Sequence, residues 1–152
     1  MEINKQNFGC LLPYEEVIIE DGLKQIAFVK PGDKIMGHDG NYHEVDNIWN
    51  FEKPVYYVSL SNGEHIECSN THRFLINKSK IDKEVAWKTI EELHDGDEII
   101  VMSIVNETGN IRYNKVKILR KFKSGDNNLV YDLTMKDSIT YISANGIINH
   151  SL

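Results

Sequence analysis

Apolar and polar positions alternate in short runs along this chain. VYYVSL (residues 55–60), EHIECS (64–69), EIIVMSIV (98–105) and LVYDLTM (129–135) are rich in Val, Ile and Tyr. In EHIECS, Ile66 and Cys68 alternate with Glu67 and Ser69, the period of a half-buried strand. Turn-forming pairs recur every eight to twelve residues or so: Asp21-Gly22, Pro31-Gly32-Asp33, Asp39-Gly40, Asn62-Gly63, Asp95-Gly96-Asp97, Thr108-Gly109, Ser124-Gly125, Asn145-Gly146. The pattern predicts a compact all-β domain. Ser61-Asn62-Gly63 predicts a tight hairpin with Gly63 at positive φ. TIEEL (89–93) offers the only helical turn, with Thr89 as N-cap, and is too short to stand alone.

A weak internal repeat runs through this pattern. QIAFVKPGDKIM (25–36) and TIEELHDGDEIIV (89–101) both place apolar residues, a Gly-Asp turn, a charge and an isoleucine-bearing strand in the same order. Gly32 and Gly96 are the matching positions, 64 residues apart. The expected architecture is a pseudo-twofold β fold built from duplicated subdomains.

Composition narrows the function classes. The 152 residues suit a single domain, with 41% apolar and 26% charged residues. Lys and Arg number 17 against 23 Asp and Glu, giving a net charge of -6, and no basic stripe is available for phosphates. No nucleic-acid partner is expected. The apolar runs are too short for a membrane span, and MEINKQNFGC lacks the apolar stretch of a signal peptide. Cys10 and Cys68 are too few for a disulfide framework and have no CxxC spacing. A cytoplasmic protein with free thiols is expected.

The order of the chemistry-bearing residues resembles that of an intein of the Hedgehog/intein (Hint) family, in its mini-intein form without a homing endonuclease. Cys10, the strand at 17–19, Asp21-Gly22 and IAFVKPGDKI resemble the family's N-terminal block. GEHIECSNTHRFL (63–75) resembles the second block, with Ser69 three residues before His72. VYDLTM (130–135) supplies Asp132, and ANGIINHSL (144–152) resembles the C-terminal block. The connection at 105–113 is too short to hold an endonuclease. The resemblance implies a flank at 1–9, a Hint domain at 10–150 and a second flank at 151–152.

It also implies a self-processing activity acting on flanking extein segments in cis, in a monomer, without cofactor or metal. Each chain would react once. Cys10 supplies a thiol able to attack the Gly9 carbonyl. His72 is the acid for the departing nitrogen, and Ser69 polarises the scissile carbonyl with nearby backbone N–H groups. Asp132 either faces solvent or lies near both junctions. His150 would polarise the last peptide bond while an Asn cyclises, but the familiar His-Asn order stands here as Asn149-His150-Ser151. Either Ser151 occupies the position of the cyclising Asn, or Asn149 cyclises with Ser151 displaced by one residue as the acceptor, so N-terminal cleavage or slow cleavage after Asn149 is expected over full splicing. His38, His43, His65 and His94 show no zinc-site spacing. The competing classes are a non-catalytic β-domain binding module and a trans-acting hydrolase using Cys10 and His72.

Overall fold

A computed structural model describes residues 4–79, 84–105 and 110–151. Two long strands organise it: β4 (Tyr42–Leu60) and β9 (Asn110–Met135), paired antiparallel over most of β4. Strands of this length must bend to enclose a core, and the register slips at Val45/Asn47, Lys53/Val55, Val55/Tyr56 and Ser59/Leu60. Pro54, which has no N–H for the ladder, sits within one of these slips.

The shorter strands flank this pair. They are β1 (Glu16–Ile19), β2 (Gly22–Gln25), β3 (Lys34–Met36), β5 (His65–Ser69), β6 (Arg73–Asn77), β7 (Val85–Thr89), β8 (Glu98–Val105), β10 (Thr140–Ile142) and β11 (Ile148–His150). The main sheet runs β2-β1-β3-β4-β9-β8, with β5 also on β4, while β6-β7 and β10-β11 form separate hairpins. The β4–β5 hairpin turns at Gly63, whose φ is +86°. One core cluster includes Val17, Ile26, Ile35, Val45, Ile66, Ile90, Ile99, Ile118 and Leu133.

The internal repeat holds bond for bond. Gly32 N–H donates to Val45 O (2.9 Å) and Val45 N–H to Asp33 O (2.8 Å); Gly96 N–H donates to Ile118 O (2.6 Å) and Ile118 N–H to Asp97 O (2.8 Å). Gly32 and Gly96 have φ of +91° and +92°. Upstream, Val29 N–H reaches Ile26 O as Leu93 N–H reaches Ile90 O. The hairpin β1-β2 pairs Glu16 with Gln25, and β6-β7 pairs Arg73 with Thr89 in the matching place. The fold is therefore a pseudo-twofold all-β duplication.

Two local features depart from expectation. TIEEL closes as turns rather than a helix, and its cap is reversed: Thr89 N–H and Oγ1–H both donate to Glu92 Oε1, at 3.1 and 3.0 Å. Short 3-10 helices instead form at Lys5–Asn7 and Ile26–Phe28. The 105–113 connection is described only in part, since residues 106–109 lie outside the described residues, as does Leu152.

Candidate active site

The segment after Cys10 is threaded into the sheet. Leu11 and Tyr131 exchange N–H···O bonds of 2.8 Å in both directions, and Ser69 N–H donates to Cys10 O at 2.9 Å. Residues 10–12 thus bridge β5 and β9. This main-chain anchoring leaves Cys10 no exposed surface and fixes its amide, whose N–H donates to Ser69 Oγ at 3.0 Å.

Ser69 ends β5, and the chain turns at once: His72 N–H closes on Ser69 O at 3.1 Å. That turn packs directly against Gly9. A Cβ on Gly9 would lie 3.0 Å from His72 Cα and 3.2 Å from Arg73 N, so only glycine fits without displacing backbone. Within the turn, Thr71 Oγ1 donates to Phe8 O at 2.6 Å and lies 3.3 Å from Ser69 Oγ. Lys53 arrives from β4 and donates to Phe8 O (2.5 Å), Lys5 O (2.6 Å) and Thr71 Oγ1 (2.6 Å).

Asp132 faces this site from β9, paired in register with Trp49. It is fully buried, so the solvent-facing alternative does not hold. Its Oδ1 accepts from Leu133 N–H (2.8 Å) and Tyr141 OH (2.6 Å), while Oδ2 has no partner. Burial pushes its pKa up to about 8, against the opposing pull of these two donors, Lys53 and Arg73. The carboxyl is mostly protonated at neutral pH. Burial and then Asp132 push the Cys10 thiol well up, while Lys53 and Ser69 pull it down.

His72 lies between the two ends of the chain. It is buried, and burial holds its pKa down at about 3, opposed by the neighbouring Asn149 side chain and assisted by His150, Lys53 and Arg73. The ring is therefore neutral. His72 and Asn149 are near enough to couple, yet both ring nitrogens and Asn149 Oδ1 lack a closed hydrogen bond. Asn149 Nδ2 is held by Tyr141 O (3.0 Å), Ser143 Oγ (3.1 Å) and Ile147 O (3.2 Å). His150 is half-buried with its ring edge-on to Trp87, centroids 4.9 Å apart. Ser151 is buried; its Oγ accepts from Met135 N–H at 2.9 Å and its own N–H donates to Ile139 O at 2.7 Å.

The structure thus gathers Cys10, Ser69, His72 and Asp132, and brings Asn149 and His150 to the far side of His72. It differs from expectation over Ser69, whose hydroxyl accepts from the Cys10 N–H, where an interaction with the Gly9 carbonyl was expected. Thr71, Lys53 and Tyr141 were missed. Thr71 stood in view between Ser69 and His72; Lys53 was detectable as a lysine on the apolar side of the alternation Trp49, Phe51, Lys53, Val55. Among the described residues no three His, Cys, Asp or Glu converge to hold a metal ion, and no helix is long and apolar enough to cross a membrane.

This arrangement of strands is the intein, or Hint, fold. The gp41-1 intein superposes with a TM-score of 0.71 at 23% identity, over 95% of this chain and 99% of that one. A DnaB intein from Synechocystis gives 0.73 at 17% identity, over 95% and 100%. The MchDnaB-1 intein gives 0.70 at 20%, over 93% and 99%. No protein-family profile matches the chain, and no curated protein matches it by sequence.

Proposed function

We propose that this chain is a self-processing intein-like domain whose working half is the N-terminal one. Cys10 Sγ attacks the Gly9 carbonyl carbon; the C–N bond to Cys10 breaks, and the thiol proton ends on the freed Cys10 nitrogen. The product is a Gly9 thioester, which water or an added nucleophile then cleaves. The substrate is the chain's own flanking segment, processed in cis by a monomer.

One contact carries this assignment: Cys10 N–H on Ser69 Oγ, at the start of the turn that seats His72 against Gly9. The departing nitrogen thereby has a hydroxyl on it before the reaction begins. Neutral His72 and protonated Asp132 supply groups able to relay the thiol proton, and the Lys53 charge favours the thiolate.

The C-terminal half is set up less well. Asn149 Nδ2 is caged by three acceptors, and Ser151 occupies the place of a cyclising Asn. Ligation is therefore not expected, and cleavage after Asn149 is at most slow. Hydroxylamine or dithiothreitol should release residues 1–9 from freshly made protein, read by mass, and Cys10→Ala should abolish that release. Equal release from both proteins would reject the thioester. An indefinitely intact wild-type chain with an unreactive Cys10 would instead favour a non-catalytic binding module.

A further inference from the structure

Phe8 precedes the reacting bond, in the segment that cleavage would remove, yet it is only 1% exposed. Its ring lies 5.2 Å from that of Trp49 and 4.9 Å from that of Phe51, both tilted. These separations lie in the favourable range for aromatic pairs. Cys10, Leu12, Val55 and Val130 complete the same cluster. Trp49, Phe51, Lys53 and Val55 sit at alternate positions of β4 and so project from one face of the strand.

The main chain around Phe8 is held equally firmly. Lys53 Nζ grips the carbonyls of Lys5 and Phe8, and Thr71 Oγ1 grips that of Phe8 as well. Lys53 is only 2% exposed, and a buried lysine with three acceptors is costly unless those acceptors are in place. Two of the three belong to the flank. Gly9 then passes the His72 backbone where a Cβ has no room.

We infer that the domain carries a subsite for its N-terminal flank that selects an aromatic residue two places before the thiol and glycine one place before it. Lys53 and Thr71 are its positioning residues, acting on main-chain carbonyls that any sequence would offer, while Trp49 and Phe51 read the side chain. This rests on the N-terminal reading above and names the substrate that half would accept. The ligand class is a peptide ending in aromatic-Gly, delivered in cis.

The test uses the full chain with altered flanks. Hydroxylamine release is compared for wild type, Phe8→Leu, Phe8→Ala, Gly9→Ala and Lys53→Met, with Gln6→Ala as a flank change outside the subsite. The expected loss is about tenfold or more for Phe8→Ala and Gly9→Ala, the scale of a small misplacement at a reacting centre, with Phe8→Leu between and Gln6→Ala unchanged. Lys53→Met should lose comparably and Lys53→Arg recover part. Thermal unfolding shows that each variant is folded; Phe8→Leu carries the test if Phe8→Ala is not.

A second readout is independent of cleavage. In the Cys10→Ala background, trypsin should cut after Lys5 about fivefold faster when Phe8 is Ala, because the carbonyl of Lys5 is no longer held. Undiminished release from folded Phe8→Ala, or unchanged trypsin protection, would overturn the subsite. Lost protection in Phe8→Ala with no hydroxylamine release from any chain would leave the subsite standing and reject the thioester reading instead.

Discussion

The turn at Leu12–Glu15 and the turn at Ser69–His72 are the same piece of backbone used twice. Glu15 N–H closes on Leu12 O, and His72 N–H on Ser69 O, both at 3.1 Å. Ile26 N–H then reaches Glu15 O at 2.8 Å, and Ile90 N–H reaches His72 O at 3.0 Å. Their side chains diverge. In the first copy Leu12 is buried among apolar neighbours and Glu15 Oε1 accepts from Glu67 N–H at 3.0 Å, a purely structural tie. In the second copy Ser69 meets the Cys10 amide, and His72 backs onto Gly9. The same turn occurs twice, and the copy beside Gly9 and the Cys10 amide is the one that carries Ser69 and His72.

The sharpest way to break that contrast is to remove the divergent side chains one at a time. His72→Ala should slow hydroxylamine-dependent release by roughly a hundredfold or more, the scale of general acid–base catalysis. Glu15→Gln, at the matching place and keeping an acceptor for Glu67 N–H, should leave the rate within about twofold. Comparable losses at the two positions would mean that both turns serve only as scaffold.

A smaller effect should appear in stability. The folded pKa of Asp132, about 8, exceeds its ordinary value of 3.8, so the folded state binds the extra proton between those values. Its contribution is complete below about pH 4 and is lost as pH rises through 8. His72 works in the opposite sense: with a folded value of about 3 against 6.5, its contribution is complete above pH 6.5 and is lost as pH falls toward 3. Between pH 6.5 and 8 the Asp132 loss is the larger of the two changes, the titration of His72 in the unfolded chain being already half complete at 6.5. Asp132→Asn, a neutral mimic of the protonated acid, should flatten that decline by on the order of 2 kcal/mol, each pKa unit being worth about 1.4 kcal/mol. Urea unfolding at pH 6.5 and 8 measures it. An unchanged slope would place the ionised carboxylate in the folded state.

The smallest effect tests the duplication itself. Gly32 and Gly96 share φ near +91°, and a methyl group added at either would meet no atom within 4 Å. Gly32→Ala and Gly96→Ala should therefore each cost about 1 kcal/mol, from backbone conformation alone, and cost the same. A clear inequality in denaturant midpoints would show that the two copies no longer contribute alike.

Much of this was legible in the sequence. Gly-Asp turns and period-two runs act locally, so the repeat, the β4–β5 hairpin and the all-β fold could be read from short windows. Cys10, Ser69, His72 and Asp132 were legible through the order in which they occur. Illegible were contacts made only by long-range threading. Nothing local announces that residues 10–12 would wedge between β5 and β9, turning the Cys10 amide toward Ser69 Oγ. Lys53 was legible only in part. Its place in the alternation Trp49, Phe51, Lys53, Val55 marks the apolar side, but a lysine is solvated by default. The distant segment that buries it beside the register slip at Pro54 leaves no local signal. The protonation of Asp132 likewise depends on burial by strands far away in the chain.

Lys53 also separates two events that are easily treated as one. In the intact chain the flank fills the aromatic cradle and lends two carbonyls to a buried ammonium. Breaking the bond before Cys10 would by itself remove none of these contacts. The flank's departure would strand that charge with Thr71 as the remaining acceptor and open an apolar hole where Phe8 had been. On the proposed reading a severed peptide would be retained as a plug, its exit governed by dissociation and not by chemistry. A cut chain can keep the size, shape and thermal behaviour of an uncut one until denaturant or acid lets the plug go.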